Sequence, residues 1–125
     1  MEIEDRDLAE MLGLGRVVIG AACLLAPKKE ARAWTGETLD TEVSKMGVRG
    51  IGARDVAIGL GILVSLDNGR PVRGWLEASA IADFADAFGT LTGWKRLPKL
   101  RRWGLLALEA GAGVIGMQLA AALDD

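Results

Sequence analysis

Four apolar segments of similar length alternate with polar loops along the chain. They cover about residues 8–26, 47–66, 74–94 and 103–123. Each has about 20 residues, the length that an α-helix needs to cross a hydrocarbon core about 30 Å thick. Pro27 ends the first segment, and Asp67-Asn68-Gly69 followed by Pro71 predicts a turn after the second. We therefore predict an all-α fold, a four-transmembrane-helix antiparallel bundle that forms one domain over residues 1–125.

Charged residues lie inside these apolar segments, which weakens the membrane prediction for two of them. Segment four has a single charge, whereas segments two and three have three charges each. At about 3 kcal/mol per central charge, neither would insert well alone. They would have to insert together with their charges paired, so a soluble helical bundle stays open as an alternative. The charges are Arg49, Arg54 and Asp55 in segment two, Glu77, Asp83 and Asp86 in segment three, and Glu109 in segment four.

Lysine and arginine are concentrated in alternate loops, as expected for a membrane protein. The loops after segments one and three hold nine of them, and the opposite side holds three plus the acidic tail Asp124-Asp125. The positive side should be cytoplasmic, so both termini would lie outside. Tryptophans also mark segment ends, where they anchor membrane spans at the interface. The nine are Lys28, Lys29, Arg32, Lys45, Lys95, Arg96, Lys99, Arg101 and Arg102, the three are Arg6, Arg70 and Arg73, and the tryptophans are Trp75, Trp94 and Trp103.

The composition supports close helix packing and limits the kinds of functional site that the chain can form. The chain has 17 glycines, which in a membrane let helix backbones approach each other. It has no histidine, and its lone cysteine, Cys23, lies in an apolar run and is expected to be a buried, inert thiol. The net charge of −2 argues against nucleic acid as a partner. We identify neither a metal site nor a cofactor from the sequence.

The long connection from Pro27 to Met46 has two interpretations. A short amphipathic helix around Pro27 to Trp34 could lie at the membrane interface, with its basic side chains toward lipid phosphates. A plain solvated loop is the alternative. Gly89-Thr-Leu-Thr-Gly93 has the small-xxx-small spacing that suggests close packing or a homo-oligomer contact.

Helical spacing places the internal charges on faces that also carry small residues. Residues at i, i+4, i+7 and i+11 of segment three form one polar stripe. The other three segments each place a charge among small residues, the kind of face that packs against another helix. The stripe is Ser79, Asp83, Asp86 and Thr90; the other faces are Arg16, Gly20 and Cys23, then Gly47, Gly50, Arg54, Gly61 and Ser65, and then Glu109, Gly113 and Gly116.

Depth along the helices groups these charges into two layers. At 1.5 Å per residue, Arg16 and Asp83 both lie about 17 Å from the basic side. Arg54, Asp86 and Glu109 lie about 9 to 12 Å from it, in a layer that also holds Asp55. We therefore predict the pairs Arg54–Asp86 and Arg16–Asp83.

Acidic groups outnumber basic groups in these layers, with four carboxylates against Arg16 and Arg54. A buried carboxylate without a cation tends to hold its proton. We predict that at least one of Asp86, Asp83 or Glu109 is protonated at neutral pH or binds a cation. A purely architectural role, in which the polar residues only hold the helices in register, is the alternative.

Three motifs lie on the apolar segments: Arg16-Val-Val-Ile-Gly20 with Leu-Leu-Ala-Pro27, then Gly50-Ile-Gly-Ala-Arg54-Asp55-Val-Ala-Ile-Gly59, and then Gly74-Trp75 with Ala82-Asp83-Phe-Ala-Asp86-Ala. Together they resemble the motifs of small four-span membrane proteins common in actinobacteria, which are domains of unknown function near the DoxX-like group. The resemblance covers about residues 14–120 and implies a four-helix fold in a bacterial plasma (inner) membrane. It supplies no activity.

The polar core leaves several function classes open. The first is a proton- or cation-linked module that binds or transports a small apolar or cationic ligand through Arg16, Arg54, Asp55, Asp83, Asp86 and Glu109. The second is a small membrane enzyme acting on a lipid or isoprenoid-like substrate, with Asp83, Asp86 or Glu109 as general acid or base. The third is a structural or accessory membrane subunit.

Overall fold

The computed structural model describes residues 3–123, and these residues are helical without any strand. Four long helices match the four predicted segments, which confirms the all-α prediction. Pro27–Thr35 is a helix, so the short-helix interpretation of the first connection is correct. The acidic pair Asp124-Asp125 lies outside the described residues. The helices are α1 (Asp5–Leu25), α2 (Pro27–Thr35), α3 (Glu42–Asp67), α4 (Arg73–Thr92) and α5 (Lys99–Ala122), with a 3₁₀ turn at Trp94–Arg96.

The helix ends follow from local chemistry. Pro27 is the first residue of α2, where its missing N–H costs nothing, and the chain bends at Ala26 between α1 and α2. Gly36 ends α2 with φ of 79°, a left-handed conformation that glycine adopts without strain. The Thr41 hydroxyl accepts a hydrogen bond from the Ser44 N–H and so caps α3. The predicted turn after segment two is present, with Gly69 at φ of 62°.

Glycines on α1 and α3 bring these two helices into backbone contact. A methyl group added at Gly20 would lie 2.5 Å from the Gly52 carbonyl oxygen, and one at Gly52 would lie 2.6 Å from that of Gly20. Two helical turns further along, a methyl group added at Gly59 would lie 2.6 Å from the Gly13 carbonyl oxygen. Each helix spaces its two glycines seven residues apart, so both antiparallel contacts share one register. These glycines fix how α1 and α3 align.

A second tight pair is formed by α4 and α5. Gly113 lies under the Phe84 ring, where an added methyl group would approach the ring to 2.6 Å. Gly116 packs against Ala80, where an added methyl group would lie 3.3 Å from the Ala80 Cβ. The two pairs, α1 with α3 and α4 with α5, contact each other much less extensively than the helices within each pair. The fold is thus two closely packed helix pairs joined along a thinner seam.

The seam is apolar at one end and polar in the middle. Side chains from all four long helices form an apolar cluster near the start of α1 and the end of α5. Its members include Ala9, Ile62, Leu76 and Leu119, all almost fully buried. Nearer the middle of the seam, the buried residues include Arg16, Asp55, Ser79 and Asp83.

The outer surface of the long helices is rich in large apolar side chains. Exposure reaches 60% at Met11 and Val18, 68% at Ile81, 69% at Phe88 and 63% at Trp103. Monomeric soluble proteins rarely carry such extended apolar surface. This distribution, with charge inside and apolar side chains outside, reverses the usual soluble pattern.

The predicted small-residue faces are correct for three segments and partly wrong for segment two. Gly47 and Gly50 are exposed, and a side chain at either position would enter open space. Gly52 and Gly59 make the contact with α1 instead. At 100° per residue, Gly52 and Arg54 point in nearly opposite directions, because α3 packs against α1 on one side and α4 on the other. The expectation of a single packing face therefore misplaced two of the three glycines predicted for it, whereas Gly61 packs against Trp75.

The Gly89–Gly93 motif faces away from the other helices. A side chain at Gly89 would meet no other atom, and at Gly93 it would touch only the Gly89 carbonyl oxygen. Packing within the chain therefore does not account for this motif, and the homo-oligomer remains a prediction.

Replacing Gly20 by alanine should destabilise the protein, whereas Gly15→Ala on the same helix should not. The Gly20 methyl group meets backbone atoms, while nothing lies within 4 Å of one at Gly15. We expect the overpacking cost, up to about 3 kcal/mol, to exceed the gain of about 1 kcal/mol from replacing a helical glycine. Loss of helical circular dichroism on heating measures both. Equal melting temperatures for the two variants would contradict the proposed register.

Candidate functional site

Five charged side chains from three helices form one continuous polar cluster in the middle of the seam. We call it the arginine–aspartate network, with the order Asp83–Arg16–Asp55–Arg54–Asp86. Successive members are joined by ion pairs between 2.5 and 3.0 Å long. The network links α1 and α3 to α4, so it bridges the two helix pairs.

Arg16 is the most buried cation of the network, with 7% of its side chain exposed. Its Nη1 donates to Asp55 Oδ1 at 2.7 Å, and its Nη2 lies 2.5 Å from Asp83 Oδ1. Its Nε donates to Ser79 Oγ at 2.6 Å, and its Nη2 donates to the Ser79 carbonyl oxygen at 2.8 Å. A buried guanidinium needs this many acceptors, because an unpaired buried charge is very costly. The predicted Arg16–Asp83 pair is confirmed.

Arg54 forms a two-pronged contact with Asp86 across the seam. Its Nη1 donates to Asp86 Oδ1 at 2.9 Å, and its Nη2 donates to Asp86 Oδ2 at 2.8 Å. Two parallel bonds of this kind add geometric specificity to a charge pair. The predicted Arg54–Asp86 pair is therefore also confirmed. About 30% of both side chains is exposed, so this end of the network reaches the protein surface.

Asp55 joins the two predicted layers into one. Its Oδ1 accepts from Arg16 Nη1 at 2.7 Å and from Arg54 Nη2 at 3.0 Å. Spacing along the helices had assigned Asp55 only to the layer of Arg54. The bridge forms because Arg16 extends from α1 across the close glycine contact to α3, which a calculation of depth alone does not represent.

Ser79 is a network residue that the sequence did not assign to the site. It is fully buried and binds Arg16 through both its hydroxyl and its backbone carbonyl. The available signal was its position on the same stripe as Asp83, one helical turn away.

Glu109, which depth along the helices placed in the layer of Arg54, lies outside the series of ion pairs that forms the network. Among residues 3–123 it forms no ion pair, and its Oε1 accepts a hydrogen bond from the Thr90 hydroxyl at 2.6 Å. Thr90 lies one turn beyond Asp86 on the stripe, so Glu109 contacts α4 without reaching α3. Equal depth did not imply contact, because the loosely packed seam separates α5 from α3.

The network carries more negative than positive charge. Two guanidinium groups face three aspartates, which agrees in sign with the predicted acidic surplus. The negative charge is least well compensated at Asp83, whose Oδ2 is buried and, within the described part of the chain, has no hydrogen-bond partner. A charge on such an oxygen is far costlier than a neutral hydroxyl at the same place. Asp83 is therefore the position where a proton or a cation would be most stabilising.

The remaining candidate chemistry is sparse. Cys23 is a buried free thiol, as predicted. Within the described range, no three His, Cys, Asp or Glu side chains are placed to hold a metal ion. Two shallow surface grooves of about 300 Å³ are present, and neither is lined by a residue of the network.

No protein-family model, no curated protein and no solved structure matches this chain. The resemblance to small actinobacterial four-span proteins therefore remains a prediction, and the site has to be interpreted from its own geometry.

Proposed function

We propose that the chain is a four-span protein of a bacterial plasma membrane and that its arginine–aspartate network is a proton-linked binding or transport module. Helices α1 and α5 are each long and apolar enough to cross a membrane. Only 28% and 22% of their most apolar stretches is buried, unlike the core helix of a soluble protein. The apolar outer surface supports the same placement.

The charges of α3 and α4 explain why these helices do not resemble membrane spans individually. Arg54 and Asp55 of α3 and Asp83 and Asp86 of α4 are bound within the network. Pairing removes most of the penalty for placing these charges in a bilayer. A soluble bundle would have to expose the large apolar side chains of all four long helices, for which the structure offers no cover.

The two basic loops lie at one end of the bundle, which supports the proposed orientation. The Arg101 guanidinium, at the start of α5, donates hydrogen bonds to the carbonyl oxygens of Arg32 and Ala33 in α2. The lysine- and arginine-rich end would face the cytoplasm and both chain termini would lie outside.

The observation that carries the proton-linked function is the buried Oδ2 of Asp83, which has no hydrogen-bond partner among the residues that the structure describes. When Asp83 takes a proton, its attraction to Arg16 weakens, and the Arg16–Asp83 pair is one of the few strong contacts between the helix pairs. Rigid helix groups that rock against each other around a central site are a common design in transporters. Proton uptake at Asp83 would thus loosen the seam and admit a small apolar or cationic ligand.

A structural or accessory role is the second candidate. Both arginines are fully engaged by acceptors, and neither surface groove reaches the network. The network would then serve only to hold the two helix pairs together. A lipid-modifying enzyme would require an apolar cavity at Asp83 or Asp86, and no observation favours one.

Membrane topology can be tested with single cysteines in a Cys23→Ala background. We expect Asn68→Cys, between α3 and α4, to react with a membrane-impermeant maleimide in intact spheroplasts, and Glu37→Cys, between α2 and α3, to react only after lysis. The protein should also stay in the pellet after alkaline carbonate extraction. Recovery in the soluble fraction, or the reverse labelling pattern, would rule out this placement.

Infrared spectroscopy of the protein in a lipid bilayer can detect the proton on Asp83. As the pH is lowered from neutral, we expect a protonated carboxyl band to appear that Asp83→Asn removes and Asp86→Asn retains. Asp86 provides the control because both of its oxygens accept bonds from Arg54. If every carboxyl group is ionised in the absence of added cations, the proton-linked function fails and the structural role is favoured.

The loss of stability on replacing an arginine of the network should be larger the more deeply that arginine is buried. We expect Arg16→Gln to reduce the free energy of unfolding by about 3–5 kcal/mol, because it leaves buried carboxylates uncompensated. Arg54→Gln should cost less, since its side chain is 30% exposed. Adding Asp86→Asn to Arg54→Gln should recover part of that loss.

The control for these variants is Glu42→Gln. Glu42 pairs with Lys45 at 2.9 Å and its side chain is 78% exposed, so we expect little change in the free energy of unfolding. If Glu42→Gln and Arg16→Gln destabilise the protein equally, the network does not hold the seam.

A further inference from the structure

A basic groove lies at the bend between α1 and α2, and no residue of the arginine–aspartate network lines it. Its volume is about 300 Å³. Its apolar lining comes from the bend itself, Leu25, Ala26 and Pro27. The rest of its lining is four cationic residues, two from α2 and two from the first turns of α3, namely Lys28, Lys29, Lys45 and Arg49. We call it the elbow groove.

Most of the positive charge in the elbow groove is uncompensated. Among the described residues, Lys28, Lys29 and Arg49 form no ion pair, and only Lys45 is paired, with Glu42 Oε1 at 2.9 Å. The hydrogen bond from Lys45 lowers the pKa of Glu42, and the charges of Lys45, Arg49 and Lys28 act in the same direction. Cations from two different helices therefore converge on one corner.

The start of α2 adds backbone donors to the same place. This nine-residue helix begins at Pro27 and has no side-chain cap. Its first N–H groups lack intrahelical acceptors, and the positive end of its dipole points toward the groove. Convergent lysines, an arginine and free N–H groups are the donors that bind phosphate.

We propose that the elbow groove binds a phosphate group. The apolar residues of the lining favour an anionic phospholipid over free phosphate. Leu25 is 85% exposed beside the cations, where it can contact the acyl chains of a lipid whose headgroup is bound. Basic pockets at the cytoplasmic ends of membrane helices bind lipid headgroups in this manner. The lipid source rests on the membrane placement proposed above, whereas the phosphate chemistry is independent of the proton-linked function.

Native mass spectrometry of the 125-residue chain in detergent micelles can test the site. We expect bound phosphatidylglycerol on the wild-type protein and little phosphatidylcholine. The variant Lys28→Gln/Lys29→Gln/Arg49→Gln should weaken phosphatidylglycerol binding by about a hundredfold, from the loss of three cations. The matched control, Lys95→Gln/Arg96→Gln/Lys99→Gln, removes equal charge from the exposed residues of the other basic loop and should bind normally.

A gain of affinity gives a test that a misfolded variant cannot mimic. Glu42 competes with the ligand for Lys45, so Glu42→Gln should tighten phosphatidylglycerol binding severalfold. Added inorganic phosphate distinguishes the source: displacement of the lipid at equal concentration identifies free phosphate as the ligand, and lack of displacement identifies the lipid headgroup.

Three outcomes would overturn the proposal. The first is that phosphatidylglycerol and phosphatidylcholine bind equally well and phosphate competes with neither. The second is that both triple variants lose the same amount of phosphatidylglycerol binding, and the third is that Glu42→Gln binds phosphatidylglycerol more weakly than the wild type. Each is distinguishable from failure of the proton-linked function, because the infrared band of Asp83 is measured separately and does not involve these residues.

Discussion

The structure depends on one buried cation, Arg16, and the acceptors that surround it. Its guanidinium extends from α1 to Asp55 on α3 and to Ser79 and Asp83 on α4. A buried guanidinium without acceptors would be prohibitively costly, so α3 and α4 have to present theirs at one level. This requirement aligns the two helix pairs, which otherwise contact each other only thinly outside the apolar cluster.

Close glycine packing makes that arrangement possible. Gly20 and Gly52, with Gly13 and Gly59, bring the backbones of α1 and α3 together and fix their register. Arg16, between the two glycine contacts, is thereby placed next to Asp55. In a bilayer, where apolar side chains gain nothing by leaving lipid, such contacts and interhelical polar bonds are the main forces for association. The glycines and the charges thus act together.

The imbalance of charge distinguishes this network from a simple structural brace. Complete pairing of two arginines with two aspartates would hold the helices and require nothing more. With the third aspartate present, one buried oxygen of Asp83 has no partner among residues 3–123, and this oxygen lies at the contact between the helix pairs. A proton there would change both the local charge and the strength of the seam. The elbow groove, at the end that holds the basic loops, is a separate feature with uncompensated positive charge.

The sequence by itself determined the helices, the polar stripe on segment three and the two ion pairs Arg54–Asp86 and Arg16–Asp83. These features follow from helical periodicity and depth, which depend only on residue number. Only the tertiary structure decided which sides of α3 meet α1 and α4. It therefore also decided that Gly52 and Gly59 replace Gly47 and Gly50 in the contact, that Asp55 bridges both arginines, and that Glu109 lies outside the network. The physical reason is that depth gives one coordinate of a side chain, whereas contact also requires the rotation and spacing of the helices, which packing sets.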